Sequence, residues 1–175
     1  MHTVAIASGK GGVGKSTIAV NVAISIARNG NKVGLLDADV YGPNCHIMMG
    51  INSLPPPQGK TIVPAIAHGV KVISMGLLVG ATQPLAWRGP MLHSAIRQFV
   101  EDVDWGEIDY LIVDLPPGTG DAQLSISQTL SLTGGFIVTL PQAVSIADAR
   151  RGLELFRPVS YTHLRANETL RYLVC

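Results

Sequence analysis

The sequence predicts an α/β domain, a mostly parallel sheet with helices on both faces. Three observations predict it. Short apolar runs that end in turns alternate with segments that are apolar at helical spacing. Such strand–helix alternation builds right-handed crossovers and a covered parallel sheet. The chain has 175 residues, 47% hydrophobic and 14% charged, which suits one packed domain and excludes a disordered or polyelectrolyte chain.

Val4-Ala5-Ile6-Ala7 reads as a buried strand running into a glycine-rich turn. Ser16 to Asn29 is helical, with Ile18, Val22 and Ile26 on one face and Asn29-Gly30 as its stop. Lys32 to Leu36 is a second strand, closed by Asp37. Tyr41 to Gln58 is Gly/Pro-rich loop with a short helix near His46–Met49. Thr61-Ile62-Val63 and Val70-Lys71-Val72-Ile73 flank a turn and are expected to pair as a hairpin, the second joining the main sheet. Gly89-Pro90 opens a helix to about Val100. Tyr110 to Val113 is the clearest strand, followed by a helix from Ala122 to Leu132, a strand from Gly135 to Thr139 and a helix from Ser145 to Phe156.

Charge placement says more than the +1 net charge, which gives no signal for nucleic acid. The first 100 residues hold two acids, Asp37 and Asp39, spaced i and i+2 as a site would be. The acids from Glu101 to Asp109 read as a solvated helix end and loop. No apolar run is long enough to span a bilayer, and the start lacks a secretory signal, so a cytoplasmic protein is expected. Two cysteines, Cys45 and Cys175, make neither a disulfide scaffold nor a Cys-x-x-Cys pair. Cys45 reads as a small packed thiol, and His46, His68 and His93 as surface or packing residues.

Gly9-Lys10-Gly11-Gly12-Val13-Gly14-Lys15-Ser16, followed by Thr17, fits the phosphate-loop pattern between a strand and a helix. Glycines let backbone N–H groups turn around phosphate oxygens, and the helix N-terminus faces the same anion. Lys15 suits the β/γ oxygens of ATP and the Ser16 hydroxyl suits Mg²⁺. Phosphoryl transfer further needs metal-holding and water-orienting groups beyond the carboxyl ends of the strands. Asp37, Asp39 and Asp114 stand there. Asp39 is assigned to the water and Asp114 to Mg²⁺ through a water. Asp37 either assists them or closes its strand as an Asx turn. Pro116-Pro117-Gly118-Thr119-Gly120 forms a stiff loop suited to reporting γ-phosphate as a switch II segment. Asp121 reads as a helix N-cap.

With Lys10 inside it, the loop resembles the deviant P-loop ATPases of the ParA/MinD class. That resemblance implies an ATP-dependent homodimer in which Lys10 reaches the partner's nucleotide. Asp37-Ala38-Asp39-Val40-Tyr41-Gly42-Pro43, Trp87-Arg88-Gly89-Pro90-Met91 and Asp104-Trp105-Gly106 through Pro116-Pro117-Gly118-Thr119-Gly120-Asp121 look like the Mrp/Nbp (ApbC-type) iron–sulfur cluster carrier ATPases. The resemblance runs from Thr3 to about Arg157. It implies slow, dimer-gated ATP hydrolysis and apo iron–sulfur proteins as partners, with neither nucleic acid nor membrane. The resemblance implies that Arg88 faces nucleotide or partner; the alternative is a surface or salt-bridge arginine. The alternative is a MinD/ParA-like spatial organiser acting on membrane or DNA.

The family continues into a further strand, an Asn-Met-Ser segment and a Cys-x-x-Cys pair for a [4Fe–4S] cluster. None stands in this sequence, so no cluster ligand is assigned and the fold is expected to lack its last strands. Residues 1–157 are read as the ATPase domain. Residues 158–175 are read as a non-native tail resembling translated adapter sequence, with a helix over Leu164–Val174 capped by Thr162 as the alternative. Such a chain is expected to bind nucleotide weakly and to aggregate along its open sheet edge.

Overall fold

The computed structural model describes residues 1–79, 94, 97, 101–118, 120, 123, 126–127 and 129–156. Arg88 and its neighbours, His93, Thr119, Asp121 and the 158–175 segment lie outside them. Among the described residues the strands are β1 (His2–Ala7), β2 (Val33–Asp37), β3 (Ala65–Ala67), β4 (Val70–Ser74), β5 (Tyr110–Asp114) and β6 (Gly134–Ile137). The helices are α1 (Lys15–Arg28), α2 (Cys45–Met48), α3 (Met75–Val79) and α4 (Ala143–Phe156). Ser94, Arg97, Gln123, Ile126, Ser127 and Thr129 are also helical, within the two remaining helices the sequence predicts.

The six strands form one sheet in the order β3-β4-β2-β5-β1-β6, parallel except for β3. Consecutive residues in the central strands serve opposite faces. Ala5, Leu36, Ile73, Leu111 and Val113 pack on one side; Ile6, Leu35, Val72 and Ile112 pack against α1 on the other. Burial on both faces is why these strands read as unbroken apolar runs.

The hairpin differs from its expectation in one arm. Ala65–Ala67, not Thr61–Val63, pairs with β4, around a turn at His68 (φ 51°) and Gly69 (φ 78°). Two residues suffice for that turn, so register assigns the arm nearest to it. Thr61 instead bridges Gln58, and Ile62 bridges Val103.

Register also sets the site. Asp37 at the end of β2 stands opposite Asp114 of β5 on one side and Ser74 of β4 on the other. Partners in register project to the same face, so three polar side chains share one row beyond the apolar strands, on the α1 side.

Trp105 covers the other face above Gly34. A Cβ at Gly34 would lie 2.8 Å from the indole ring and 3.0 Å from Leu111 Cδ1. Gly34→Ala is therefore expected to displace Trp105 and destabilise the chain by about 1–3 kcal/mol. Urea denaturation with tryptophan fluorescence checks both effects; unchanged stability and emission would refute the close packing.

Candidate nucleotide site

The loop between β1 and α1 curls because Gly12 (φ 78°) and Gly14 (φ 90°) adopt left-handed conformations that side chains disfavour. A Cβ at Gly11, Gly12 or Gly14 would meet nothing within 4 Å, so the backbone is bare toward open space. That space is a cleft of about 410 Å³, bordered on one side by Gly11, Gly12, Gly14, Lys15, Ser16 and Thr17. Across it stand Asp39, Tyr41, Gly42, Asn44, Met48 and Pro117, with Ser8 also on its wall. Among the described residues the buried Ser8 hydroxyl has no hydrogen-bond partner, and an incoming polar ligand would satisfy it.

Gly9, Lys10 and Val13 do not line this cleft. Gly9 packs against α4, where a Cβ would fall 2.6 Å from Asp148, and Val13 belongs to the apolar cluster on the α1 side. Lys10 is half-buried.

Lys15 is 6% exposed, and its ammonium lies 2.7 Å from Asp114 Oδ1 and 4.0 Å from Asp39 Oδ2. It also reaches Ser16 Oγ at 3.3 Å. The lysine expected on phosphate thus rests on Asp114, the carboxylate expected to serve the metal, and lies near Asp39, expected to orient the water. Asp39 Oδ1 accepts the N–H groups of Tyr41 and Gly42, both at 3.1 Å. This turn holds Asp39 at the cleft while Oδ2 faces Lys15.

Asp37 is fully buried, outside the cleft lining. It accepts from Ser74 Oγ at 2.9 Å, Cys45 N–H at 3.1 Å and Asp39 N–H at 3.2 Å. The last bond is the Asx-type closure the sequence left open. Burial and then the charge of Asp114 push the Asp37 carboxyl up to about 7, against the pull of its three donors. The Cys45 thiol donates to Asp114 Oδ2 at 3.4 Å. Burial first, then Asp37 and Asp114, raise it far above the ordinary thiol range, so it remains protonated.

Of the predicted switch segment, Pro117 lines the cleft, and Gly118 donates its N–H to Ser8 O at 2.9 Å. Pro116 O accepts from Gln123 Nε2 at 2.9 Å. Sequence reasoning missed Ser8, Cys45 and Ser74. Ser74 carried a usable signal, a polar residue ending an apolar strand as Asp37 and Asp114 do; Cys45 carried none.

A bare glycine loop, a helix N-terminus, a buried lysine and converging carboxylates at the strand ends define a P-loop NTPase. The family model described as ParA, NUBPL iron-transfer P-loop NTPase, matches residues 1–175, and the chain belongs to that family. It is 52% identical to an iron-sulfur cluster carrier protein of Synechocystis sp. over 99% of this chain and 50% of that protein. It is 46% identical to the mouse iron-sulfur cluster transfer protein NUBPL, over 99% of this chain and 56% of that one. The chain spans about half the length of the curated relatives it matches. Among solved structures it resembles a nucleotide-binding protein from Archaeoglobus fulgidus in complex with ADP, at TM-score 0.80 and 35% identity over 93% of this chain and 64% of that one. The cell division ATPase MinD of Pyrococcus furiosus shares the fold at TM-score 0.69 and 19% identity, over 91% of this chain and 68% of that one.

The raised Asp37 group gives the nucleotide-free chain a signed pH dependence. Between its unfolded value near 3.8 and its folded value near 7, the folded state holds the extra proton, so stability falls as pH rises. His46 is lowered by burial and acts oppositely, but only below its ordinary value of 6.5. From pH 6.5 to 8 the Asp37 effect is therefore expected to remove on the order of 1 kcal/mol, a few degrees of thermal midpoint. Thermal melts of wild type and Asp37→Asn test this; equal slopes in both would refute it.

Proposed function

We propose that this chain is the nucleotide-hydrolysing part of an iron–sulfur cluster carrier, with ATP driving delivery of clusters to apo-proteins. The observation that carries the reading is Lys15, buried between the glycine loop and the Asp39/Asp114 carboxylates beside an open cleft. The names of the relatives supply the cargo. The bare loop and the unpartnered Ser8 hydroxyl fit a polyphosphate, and the oxygen-rich wall fits Mg²⁺. Bound Mg²⁺ would supply charge neutralisation for phosphoryl transfer.

In this reading the loop N–H groups and Lys15 hold the phosphates. Ser16 holds Mg²⁺, with Asp114 acting through a water and Asp37 assisting. Asp39, already aimed by its turn, orients the attacking water. Lys10, outside the cleft of its own protomer, serves the nucleotide of a partner copy. Tyr41 and Met48 expose apolar surface at the cleft, which suits a homodimer closing there. No cluster ligand is assigned among these residues. The cargo site, a [4Fe–4S] centre in the family the sequence resembles, belongs to the longer protein. Among the described residues no helix is long and apolar enough to cross a membrane.

Asp39→Asn keeps the acceptor for the Tyr41 and Gly42 N–H groups and removes the charge. Nucleotide binding is expected to persist while turnover falls at least ~100-fold. Measuring ATP affinity and phosphate release separately tests this; unchanged turnover would remove Asp39 from the role.

Lys10→Ala is expected to spare binding and lower the concentration-dependent part of hydrolysis by roughly 10³-fold, as loss of an arginine finger does. Wild-type hydrolysis in Lys10→Ala would refute the action in trans. Lys15→Ala is a poorer probe, since it strands buried carboxylates and is expected to cost ~3–5 kcal/mol of stability.

A further inference from the structure

A hydrogen-bonded chain leads from the nucleotide site to the far side of α2. Ser74 Oγ donates to Asp37 Oδ2 at 2.9 Å and lies 2.9 Å from His46 Nδ1; Gly76 N–H donates to Ser74 Oγ at 3.2 Å. A hydroxyl has one proton to give, and above a pH of about 7, where Asp37 is ionised, its carboxylate can only accept. Ser74 therefore spends its proton on Asp37 and accepts from both Gly76 N–H and His46. The ring must carry its proton on Nδ1, and its tautomer is fixed by the carboxylate two bonds away.

Space around the ring is specific. A Cβ at Gly76 would lie 2.5 Å from His46 Cε1, so only glycine admits the imidazole there. Beyond it, the ring borders a cavity of about 400 Å³ with Ile51, Asn52, Leu54 and Leu77. An apolar side chain would fill this place as well; imidazole adds a donor directed at Ser74.

We propose that His46, acting through Ser74, is a positioning residue that holds the Asp37 carboxylate for the divalent cation bound with nucleotide. This rests on the nucleotide reading above. Without the donor from His46, only the Gly76 N–H remains to orient the Ser74 hydroxyl, and the contact that orients Asp37 Oδ2 is weakened. Supporting groups of this kind typically change metal affinity by 10–100-fold.

Two measurements on the 175-residue chain test the proposal. A fluorescent ATP analogue is titrated in EDTA and in increasing Mg²⁺. His46→Ala and Ser74→Ala are expected to raise the Mg²⁺ needed for half-maximal enhancement roughly 10-fold or more, with binding in EDTA unchanged. His46→Asn, whose amide supplies a donor near the Nδ1 position, is expected to restore the wild-type requirement. Equal losses with and without Mg²⁺, or an unchanged requirement in His46→Ala, overturn the proposal.

The second measurement needs no nucleotide. Long-range ¹H–¹⁵N correlation of the His46 ring at pH 8.5, where Asp37 is ionised, is expected to show the Nδ1-protonated tautomer, reverting to the Nε2-protonated form in Ser74→Ala. An Nε2-protonated ring in wild type overturns the relay. If wild type shows no Mg²⁺-dependent binding, the nucleotide reading fails, and the ring tautomer still decides whether the relay exists.

Discussion

Two carboxylates, Asp37 and Asp114, are fully buried on neighbouring strands, and the rest of the site is arranged around that burden. Like charges in such a place repel and lose their hydration, a combination that proteins tolerate only with compensation. Lys15 supplies a cation at 2.7 Å from Asp114. Among the described residues no ammonium pairs with Asp37 at that range; backbone N–H groups and Ser74 surround it, and its affinity for a proton rises accordingly. Even the protonated Cys45 thiol is a donor to this cluster.

The compensation constrains the fold in several places at once. Lys15 reaches Asp114 because α1 begins directly at the carboxyl end of the central strands. The Cys45 N–H meets Asp37 because α2 starts a short loop after β2. Ser74 meets it because β4 pairs with β2 in the register that puts the two residues opposite each other. A one-residue slip of β4 would turn Ser74 to the other face and leave Asp37 short of a donor. The sheet order is thus tied to the chemistry as firmly as to the apolar packing.

This explains what was legible in the sequence. Gly9 to Ser16 and the apolar strand ahead of Asp114 are local patterns, so the loop, the parallel sheet and the row of carboxylates could be read from residue spacing alone. The hairpin arm was misplaced because Thr61-Ile62-Val63 has strong strand propensity while Ala65-Ile66-Ala67 does not; turn length and pairing overrode propensity. Cys45 reads as a packed thiol and is buried in the apolar cluster, and His46 reads as a surface or packing residue; neither reading reveals a hydrogen-bond partner, because Asp114 and Ser74 lie 69 and 28 residues away. No spacing rule reaches across a sheet. Gly9 reads as part of the phosphate loop, and the approach of α4, where a Cβ would fall 2.6 Å from Asp148, is a requirement for glycine that the loop pattern does not reveal.

The position of Lys15 has a thermodynamic consequence for a site of this kind. Its ammonium is engaged by Asp114, so it cannot turn to an incoming anion at no cost. Leaving would strand Asp114 beside Asp37, and uncovering one member of a buried pair costs about 3–5 kcal/mol. That cost disappears if another cation meets the carboxylates as Lys15 leaves. Anion binding by the lysine and cation binding by the aspartates are then linked, each favouring the other. Neither a bare nucleotide nor a bare metal ion satisfies both halves of the site. Under the proposed function, a P-loop lysine resting on its own carboxylate would therefore discriminate in favour of the metal–nucleotide complex through charge balance, before any part of the chain moves.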